Sequence, residues 1–291
     1  MLETDAHLSG GDRAVTTITE DGSFRVVTLR STQTVTAAIA AQNATGTTAE
    51  HLADLITGSV LVRLTMAPDL RVQGVVRGKT GKGTLVADCH PDGGCRALVR
   101  ETAGPIEIGP GSLVQVMRSL PNGTTHQGVV EIPADYGISG AFMVYMLESE
   151  QVTSVIGVGC VMSEDDKVSV AGGWIVQLLP ECQEPPLELM YQRMRLDFAD
   201  PKSVLRSLGG DPETLQSEIL YGMPYQQTGG ALIEHRCYCS PERVFASMAT
   251  LGRADLEDIL RKGETLHVSC DYCNRPYEVH PETLRGLLEA S

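Results

Sequence analysis

Aromatic residues and positive charge are both scarce in this chain. Aromatic side chains make up 4% of its 291 residues, so Leu, Val, Ile and Met must form most of the core. Lys and Arg number 23 against 37 Asp and Glu, which gives a formal charge of −14. Proteins that bind nucleic acid usually present a basic face to the phosphates, so this balance counts against a nucleic-acid partner.

Long apolar runs are also missing. No run of about 18 apolar residues occurs, and the opening MLETDAHLSGGDR has neither a basic start nor an apolar stretch of signal-peptide length. We therefore expect a cytoplasmic protein without a membrane partner. The glycine-rich fragment GKTGKG does not complete the GxxxxGK(S/T) pattern, so the sequence predicts no phosphate loop.

The first part of the chain has the signals of an α+β fold. The β-rich run FRVVTL precedes TQTVTAAIAAQ, which suits a short buried helix. Thr47 and Glu50 have capping-box spacing and predict the start of a second helix. Short β-like runs separated by glycine then predict an antiparallel sheet, and ISGAFMVYMLESE predicts a further helix.

The composition changes at Pro180, where PECQEPP interrupts regular structure. We predict an N-terminal α+β chain segment over residues 1–182, a helical linker over 183–232 and a small C-terminal domain over 233–291. Amphipathic stretches of the linker include Leu187, Leu189, Met190, Met194 and Leu196. These helices could pack on the first domain or stay loosely held, and the sequence leaves both open.

Four of the eight cysteines form two close pairs near the C-terminus. One residue separates Cys237 from Cys239, and two residues separate Cys270 from Cys273. Two such pairs can form a tetrahedral site, and zinc suits four soft thiolates. We predict one zinc ion held by these four side chains. Structural disulfides, unrelated buried thiols, or a metal that is only structural are the alternatives.

The residues between the two pairs predict two short helices. Ser240 can cap a helix with Pro241 at its first position, and a second helix is expected from Asp255 to Leu260. So few apolar residues cannot easily stabilise about 60 residues. Metal-binding energy would then be folding energy, and loss of zinc would unfold this domain.

Several motifs follow one another along the chain in a recognisable order. They are QGVV at 127–130, SEQ at 149–151, AGGWIVQLLP at 171–180, CYCSPERV from Cys237 and CDYC from Cys270. Together they resemble the heat shock protein 33 family, the redox-regulated holdase chaperones. The resemblance implies an N-terminal chaperone domain, a metastable helical linker and a zinc domain whose reduced form keeps the chaperone inactive.

The resemblance also implies a switching chemistry. Peroxide or hypochlorite, helped by heat, would convert the four thiolates into disulfides that pair Cys237 with Cys239 and Cys270 with Cys273, with release of zinc. The oxidised protein would then bind unfolding client proteins without ATP and without enzymatic activity. Oxidation would also favour a homodimer.

Two other functions stay open. A thiol oxidoreductase could use Cys270 and Cys273, or a hydrolase could combine one cysteine with His90 or His126, although the second cysteine pair favours metal. A static zinc-ribbon adaptor could instead bind nucleic acid or protein through a basic patch. Its members would be Arg236, Arg243, Arg253, Arg261, Lys262 and Arg275.

The other cysteines and the nearby histidines receive supporting roles. We interpret four cysteines as small packed side chains, namely Cys89, Cys95, Cys160 and Cys182. Cys182, beside the predicted boundary, is the candidate for an additional redox role. Because four thiolates complete the metal's coordination, we expect solvent-facing or supporting roles for His235, His267 and His280.

Overall fold

The computed structural model of the chain contains two compact units, Met1–Arg236 and Cys237–Ser291. It describes residues 11–79, 81–100, 106–119, 123–248, 253–282 and 285, without the side chains of residues 253–256. None of the described helices combines the length and apolar character that crossing a membrane requires.

A ten-stranded sheet forms the frame of the first unit. Its strands are β1 (Asp12–Thr19), β2 (Phe24–Arg30), β3 (Val72–Arg77), β4 (Thr84–Cys89), β5 (Gly94–Arg100), β6 (Leu113–Ser119), β7 (Thr125–Glu131), β8 (Ser154–Met162), β9 (Val168–Leu178) and β10 (Tyr225–His235). Their order is β7-β6-β3-β4-β5-β10-β1-β2-β9-β8. The described neighbours pair antiparallel, apart from a short parallel link between β10 and β5.

Helices pack on both faces of this sheet. They are α1 (Thr32–Gln42), α2 (Gly46–Leu64), α3 (Gly137–Glu148), α4 (Glu184–Leu196), α5 (Pro201–Leu208) and α6 (Pro212–Ile219). Successive residues of β9 alternate between two cores, as a strand requires. Ile175 packs in the core with α1–α3, whereas Trp174 and Val176 pack in the core with α4–α6. The predicted α+β class with an antiparallel sheet is confirmed.

The predicted capping box at the start of α2 is wrong. The N-cap is Thr45, the helix begins at Gly46, and no side chain caps it. Thr47 therefore lies inside the first turn. The Glu50 carboxylate pairs with Lys202 Nζ of α5. Glu50 thus forms an ion pair with a helix distant in sequence instead of the capping hydrogen bond that its spacing predicts.

Strand β10 lies largely within residues that the sequence predicts as a helical linker. Gly229 and Gly230 favour a turn in the sequence, yet they pair with Thr16 and Val15 of β1. Cross-strand hydrogen bonding over the rest of β10 overrides this weak local preference. Helices α4–α6 fill the remainder of the segment, and its metastability stays a prediction, as does the three-part division of the chain.

The second unit is small. It contains α7 (Pro241–Met248), α8 (Arg253–Lys262), β11 (Leu266–Ser269) and β12 (Pro276–Val279), and the two strands pair antiparallel. The Arg243 N–H donates to Ser240 Oγ at 3.3 Å, so the predicted cap is confirmed. The described apolar core has Met248 and Val279 buried, with partly buried neighbours Phe245, Ile259, Leu260, Leu266 and Val268.

Candidate metal centre

A tight turn between β11 and β12 places the second cysteine pair. The Cys270 N–H donates to the Arg275 carbonyl at 3.0 Å, and the Asn274 N–H donates to the Cys270 carbonyl at 2.8 Å. Asn274 adopts a left-handed φ of 55°, a conformation that asparagine tolerates better than most residues. This closed turn holds Cys270 and Cys273 near each other.

The first pair, Cys237 and Cys239, lies on the irregular segment before α7. All four Sγ atoms lie within 4.8 Å of one another. The Sγ atoms of Cys237 and Cys270 are 3.7 Å apart, and those of Cys239 and Cys273 are 3.5 Å apart. Four thiolates at about 2.3 Å from a tetrahedral ion would be roughly 3.8 Å apart. The cluster therefore fits a metal ion of the size of zinc.

Hydrogen bonding makes the four thiols unequal. The Tyr277 hydroxyl donates to Cys239 Sγ at 3.0 Å. Burial disfavours the Cys239 thiolate, but this bond and those from the neighbouring thiols outweigh burial and lower the pKa of Cys239 to about 7. Burial raises the pKa of Cys273 to about 12. A cation held by all four sulfurs must displace protons, so its affinity should fall as pH falls.

Tyr277 carries no motif that would mark it in the sequence. Its position on β12, opposite Val268 of β11, brings its hydroxyl back to the cysteine cluster. The one available signal is a polar aromatic residue four positions after Cys273, on the strand that leaves the turn. Hydrogen bonds to metal-binding side chains orient them and tune their basicity.

Among the described residues, the four-sulfur cluster is the candidate group for holding a metal. The flanking histidines lie outside it. His267 Nδ1 is 3.8 Å from Glu278 Oε1, and His280 Nδ1 is 3.2 Å from Thr265 Oγ1. Burial lowers the pKa of His235, which precedes Cys237 by two residues.

Three of the basic residues proposed for an adaptor surface pair with acidic residues, whereas the Arg243 guanidinium donates to the Tyr238 carbonyl at 2.8 Å. Arg236 pairs with Asp92 at 2.8 Å and also with Glu234. Arg261 and Lys262 both pair with Asp258, at 3.4 and 3.0 Å. The side chain of Arg253 lies outside the described part. These pairs weaken the positive field that a nucleic-acid surface needs.

The histidines proposed for a cysteine hydrolase lie in the first unit. His90 Nε2 is 3.3 Å from Asp88 Oδ2, and the Asp88 carboxylate also binds Arg71 and Arg96. Burial opposes ionisation of Asp88, but the hydrogen bonds from His90 and Arg71 hold its pKa well below the usual range. His90 thus belongs to a buried ionic network, and His126 lies on β7.

A second feature of the first unit is the cover that α4–α6 form over the sheet. Trp174 of β9 meets Phe198 edge to face, with ring centroids 5.2 Å apart. Leu205 of α5 is fully buried, and a Cβ added at Gly159 would lie 3.2 Å from its Cδ1. The amphipathic α4 buries its methionines and exposes its leucines. The methionines are Met190 and Met194, and the exposed residues at its two ends are Leu187, Leu189 and Leu196.

Polar contacts tie this cover to the rest of the first unit. Arg13 of β1 pairs with Asp211, the N-cap of α6, at 3.0 Å. The Thr28 hydroxyl donates to the Pro212 carbonyl at 2.8 Å. These few bonds supplement an apolar contact that supplies most of the attraction.

A cavity of about 470 Å³ lies between this cover and helices α2 and α3. Asp54, Trp174 and Lys202 are among the residues that line it. Asp54 Oδ1 is buried without a hydrogen-bond partner. Burial raises the pKa of Asp54 to about 7, although the Lys202 ammonium opposes the shift. A buried carboxyl with one oxygen left without a hydrogen bond destabilises the fold when it is ionised.

Comparisons with known proteins agree on one family. The family model described as "Hsp33 protein" matches residues 12–280. The 33 kDa chaperonin of Syntrophotalea carbinolica is 27% identical over 288 residues, covering 95% of this chain and 99% of that protein. The 33 kDa chaperonin of Bacillus cereus (strain G9842) is 27% identical over 291 residues, covering 96% and 99%.

A solved structure shares the fold. The crystal structure of the 33 kDa chaperonin (heat shock protein 33 homolog) of Thermotoga maritima aligns with a TM-score of 0.80. It covers 96% of this chain and 98% of that chain at 20% sequence identity.

Proposed function

The chain belongs to the Hsp33 family, and on that premise we propose that it is a redox-regulated chaperone that holds unfolding proteins without ATP. In the reduced state the four C-terminal thiolates bind one zinc ion, and the chaperone is inactive. Oxidation by peroxide or hypochlorite under heat stress activates it. Its clients are proteins that lose their structure under those conditions.

One observation carries this proposal: the four thiols converge in a unit whose described residues form only a small apolar core. Metal binding contributes about 10–16 kcal/mol to the folding of small zinc domains. A few half-buried apolar side chains cannot replace a contribution of that size. Oxidation of the thiolates should therefore unfold the second unit.

The redox step balances as two disulfides formed against two molecules of peroxide. In each, two thiolates lose two electrons, the peroxide O–O bond breaks, and two protons from solution complete two waters; the zinc ion is released as its ligands are lost. The family resemblance supplies the pairing of Cys237 with Cys239 and of Cys270 with Cys273. In the reduced cluster, Sγ contacts join members of different pairs, and all four Sγ atoms lie within 4.8 Å of one another.

The linker responds through the chain itself. Strand β10 connects α6 to Cys237, so disorder that begins at Cys237 can spread back along β10 to α4–α6. Loss of α4–α6 would uncover apolar side chains on both sides of the contact. They include Phe24, Val26, Trp174, Met190, Met194 and Leu205. Exposed apolar surface of this extent suits unfolded polypeptide.

The remaining features follow from this chemistry. Free thiolates persist in a reducing compartment, so we propose that the protein works in the cytoplasm. The uncovered apolar surface would also favour a homodimer after oxidation. We propose no enzymatic reaction. We also propose no nucleic-acid partner, because the chain has a formal charge of −14 and Arg236, Arg261 and Lys262 pair with acidic residues.

A single sample tests the proposal. Zinc release, free thiols and suppression of aggregation of a heat-unfolding test enzyme are measured before and after mild peroxide at raised temperature. We expect all three to change together and to revert with reductant and zinc. Cys160→Ala, a buried substitution in the first unit, serves as the matched control and should behave like the parent chain. Retention of zinc after oxidation, or its loss without holdase activity, would overturn the proposal.

A further inference from the structure

A second pair of thiols lies in the first unit, on the hairpin of β4 and β5. Cys89 and Cys95 stand directly opposite each other in the antiparallel register. Their Sγ atoms are 2.9 Å apart, and both residues are buried. Neither residue belongs to the proposed zinc centre, and packing alone does not require two sulfurs in contact.

The backbone places this pair where cross-strand bridges fit. The His90 N–H donates to the Gly94 carbonyl at 2.9 Å, so residues 90 and 94 form a hydrogen-bonded pair. The next pair along the ladder, Cys89 and Cys95, is therefore a non-hydrogen-bonded pair, in which Cα atoms are about 4.5 Å apart. Disulfides need Cα atoms roughly 4.4–6.8 Å apart. A bridge can form here without backbone movement.

The close approach of β10 and an ion pair within the hairpin hold the two strands in this register. Gly93 has a φ of 84°, and a Cβ at this position would lie 2.1 Å from the Leu232 carbonyl oxygen of β10. The residues just before Cys89 and just after Cys95 are joined by an ion pair, since Arg96 Nε is 2.8 Å from Asp88 Oδ2. The sulfurs are thus held close before any reaction.

A cavity of about 280 Å³ adjoins one of the two cysteines. Cys89, Arg63 and His90 are among the residues that line it. The Arg63 guanidinium favours a thiolate at Cys89, but burial raises the pKa of Cys89 well above the usual range. The thiol should therefore react slowly and under sustained oxidant, because the thiolate is the reactive form.

We propose that Cys89 and Cys95 form a reversible disulfide when the chain meets hydrogen peroxide. Cys89 sulfur attacks the O–O bond and becomes a sulfenic acid as one water leaves. Cys95 sulfur then attacks Cys89 sulfur, the S–O bond breaks, and a second water leaves. Two thiols are oxidised and one peroxide is reduced. The bridge ties together the hairpin that supports the end of β10, and it does not depend on chaperone activity.

Peptide mass tests this site directly. The reduced, zinc-loaded full chain is treated with peroxide, its free thiols are alkylated after denaturation, and it is digested with trypsin. Cleavage after Lys82 and Arg96 gives a peptide of residues 83–96 with both cysteines and no others. We expect this peptide to appear unalkylated and about 2 Da lighter, and to regain two alkyl groups after reductant.

Cys160 is the internal control, because it is buried in the same unit and its Sγ contacts the Met162 sulfur at 3.6 Å. It should remain fully alkylated. The Cys95→Ala variant should instead accumulate a dimedone-reactive sulfenic acid on Cys89. Two free thiols on the 83–96 peptide after the C-terminal thiols have reacted would overturn the proposal. So would a bridge that forms only in denaturant. The zinc cysteines lie on other peptides, so failure here is distinguishable from failure of the proposed chaperone switch.

Discussion

The two units hold their thiols in opposite ways. In the first, Cys89 and Cys95 lie inside a core that continues across the sheet to α1–α3. In the second, most of the cluster is only half-buried, and the described core around it has two buried apolar residues, Met248 and Val279. We therefore expect the first unit to keep its fold without its cysteines, and we propose that the fold of the second depends on the metal that its cysteines bind.

This difference means that one oxidant should have two opposite effects. Loss of thiolate ligands removes about 10–16 kcal/mol from a zinc-dependent unit. A disulfide across a short loop adds roughly 2 kcal/mol to the unit that contains it, because it restricts the unfolded chain. Peroxide would thus unfold the second unit and release α4–α6 while reinforcing the β4–β5 hairpin of the sheet, which must stay folded to present a client surface.

Removal of two ligands should have the largest effect. We expect Cys270→Ser with Cys273→Ser to lose tight zinc binding and to lose amide protection over residues 253–282, because metal energy is folding energy there. Strands β2 and β9 should keep their protection, and the reduced variant should be a partly active holdase. Hydrogen exchange with mass spectrometry separates the units. The control, Cys89→Ala with Cys95→Ala, should leave the second unit protected. Tight zinc binding with full inactivity would contradict the proposed dependence of the second unit on its four thiolates.

Truncation of a buried side chain of α5, which leaves a cavity beneath the helix, should have the next largest effect. Leu205 is fully buried against the sheet, and Leu205→Ala should cost about 2–5 kcal/mol of unfolding free energy. We expect this variant to suppress client aggregation while its zinc is still bound. Leu196→Ala, in the same segment but with 74% of that leucine exposed, should change neither property. A destabilised Leu205 variant that stays inactive would show that the cover does not keep the chaperone silent.

The sequence predicted best where the chemistry is local. The helix TQTVTAAIAAQ became α1, and the run FRVVTL became β2, because alternation and composition act over a few residues. The four C-terminal cysteines were identifiable from spacing alone, and the structure brings their sulfurs together.

The features that the sequence did not predict depend on pairing between residues distant in the chain. Cys89 and Cys95 meet because β4 and β5 pair in one register, which their spacing alone does not specify. The strand at Gly229 and Gly230 depends on β1, which is about 200 residues earlier in the chain. Tyr277 reaches Cys239 only through the β11–β12 hairpin. Each was missed because its role is defined by a partner distant in sequence.

Ionisation of Asp54 should change the stability of the first unit alone. Burial raises the pKa of Asp54 to about 7, against about 3.9 in an unfolded chain, so unfolding releases a proton between these values. Stability from this group is therefore full below about pH 4 and falls as pH rises to 7. Asp54→Asn should stabilise the unit by roughly 2 kcal/mol at pH 8, about half of the full shift because the cavity admits water. The gain should shrink at pH 5 in thermal unfolding followed by Trp174 fluorescence. An equal gain at both pH values would contradict the titration.

The smallest expected effect lies in the second unit. Tyr277→Phe removes the 3.0 Å hydrogen bond to Cys239 and leaves the ring in place. Loss of such a supporting bond should weaken zinc affinity about tenfold, which is about 1.4 kcal/mol, measured by competition with a chromophoric chelator. Tyr221→Phe, an exposed tyrosine of the first unit, should leave the affinity unchanged. If Tyr277→Phe also has no effect, the sulfur ligands alone determine the stability of the second unit, and the contrast with the core-stabilised first unit becomes sharper.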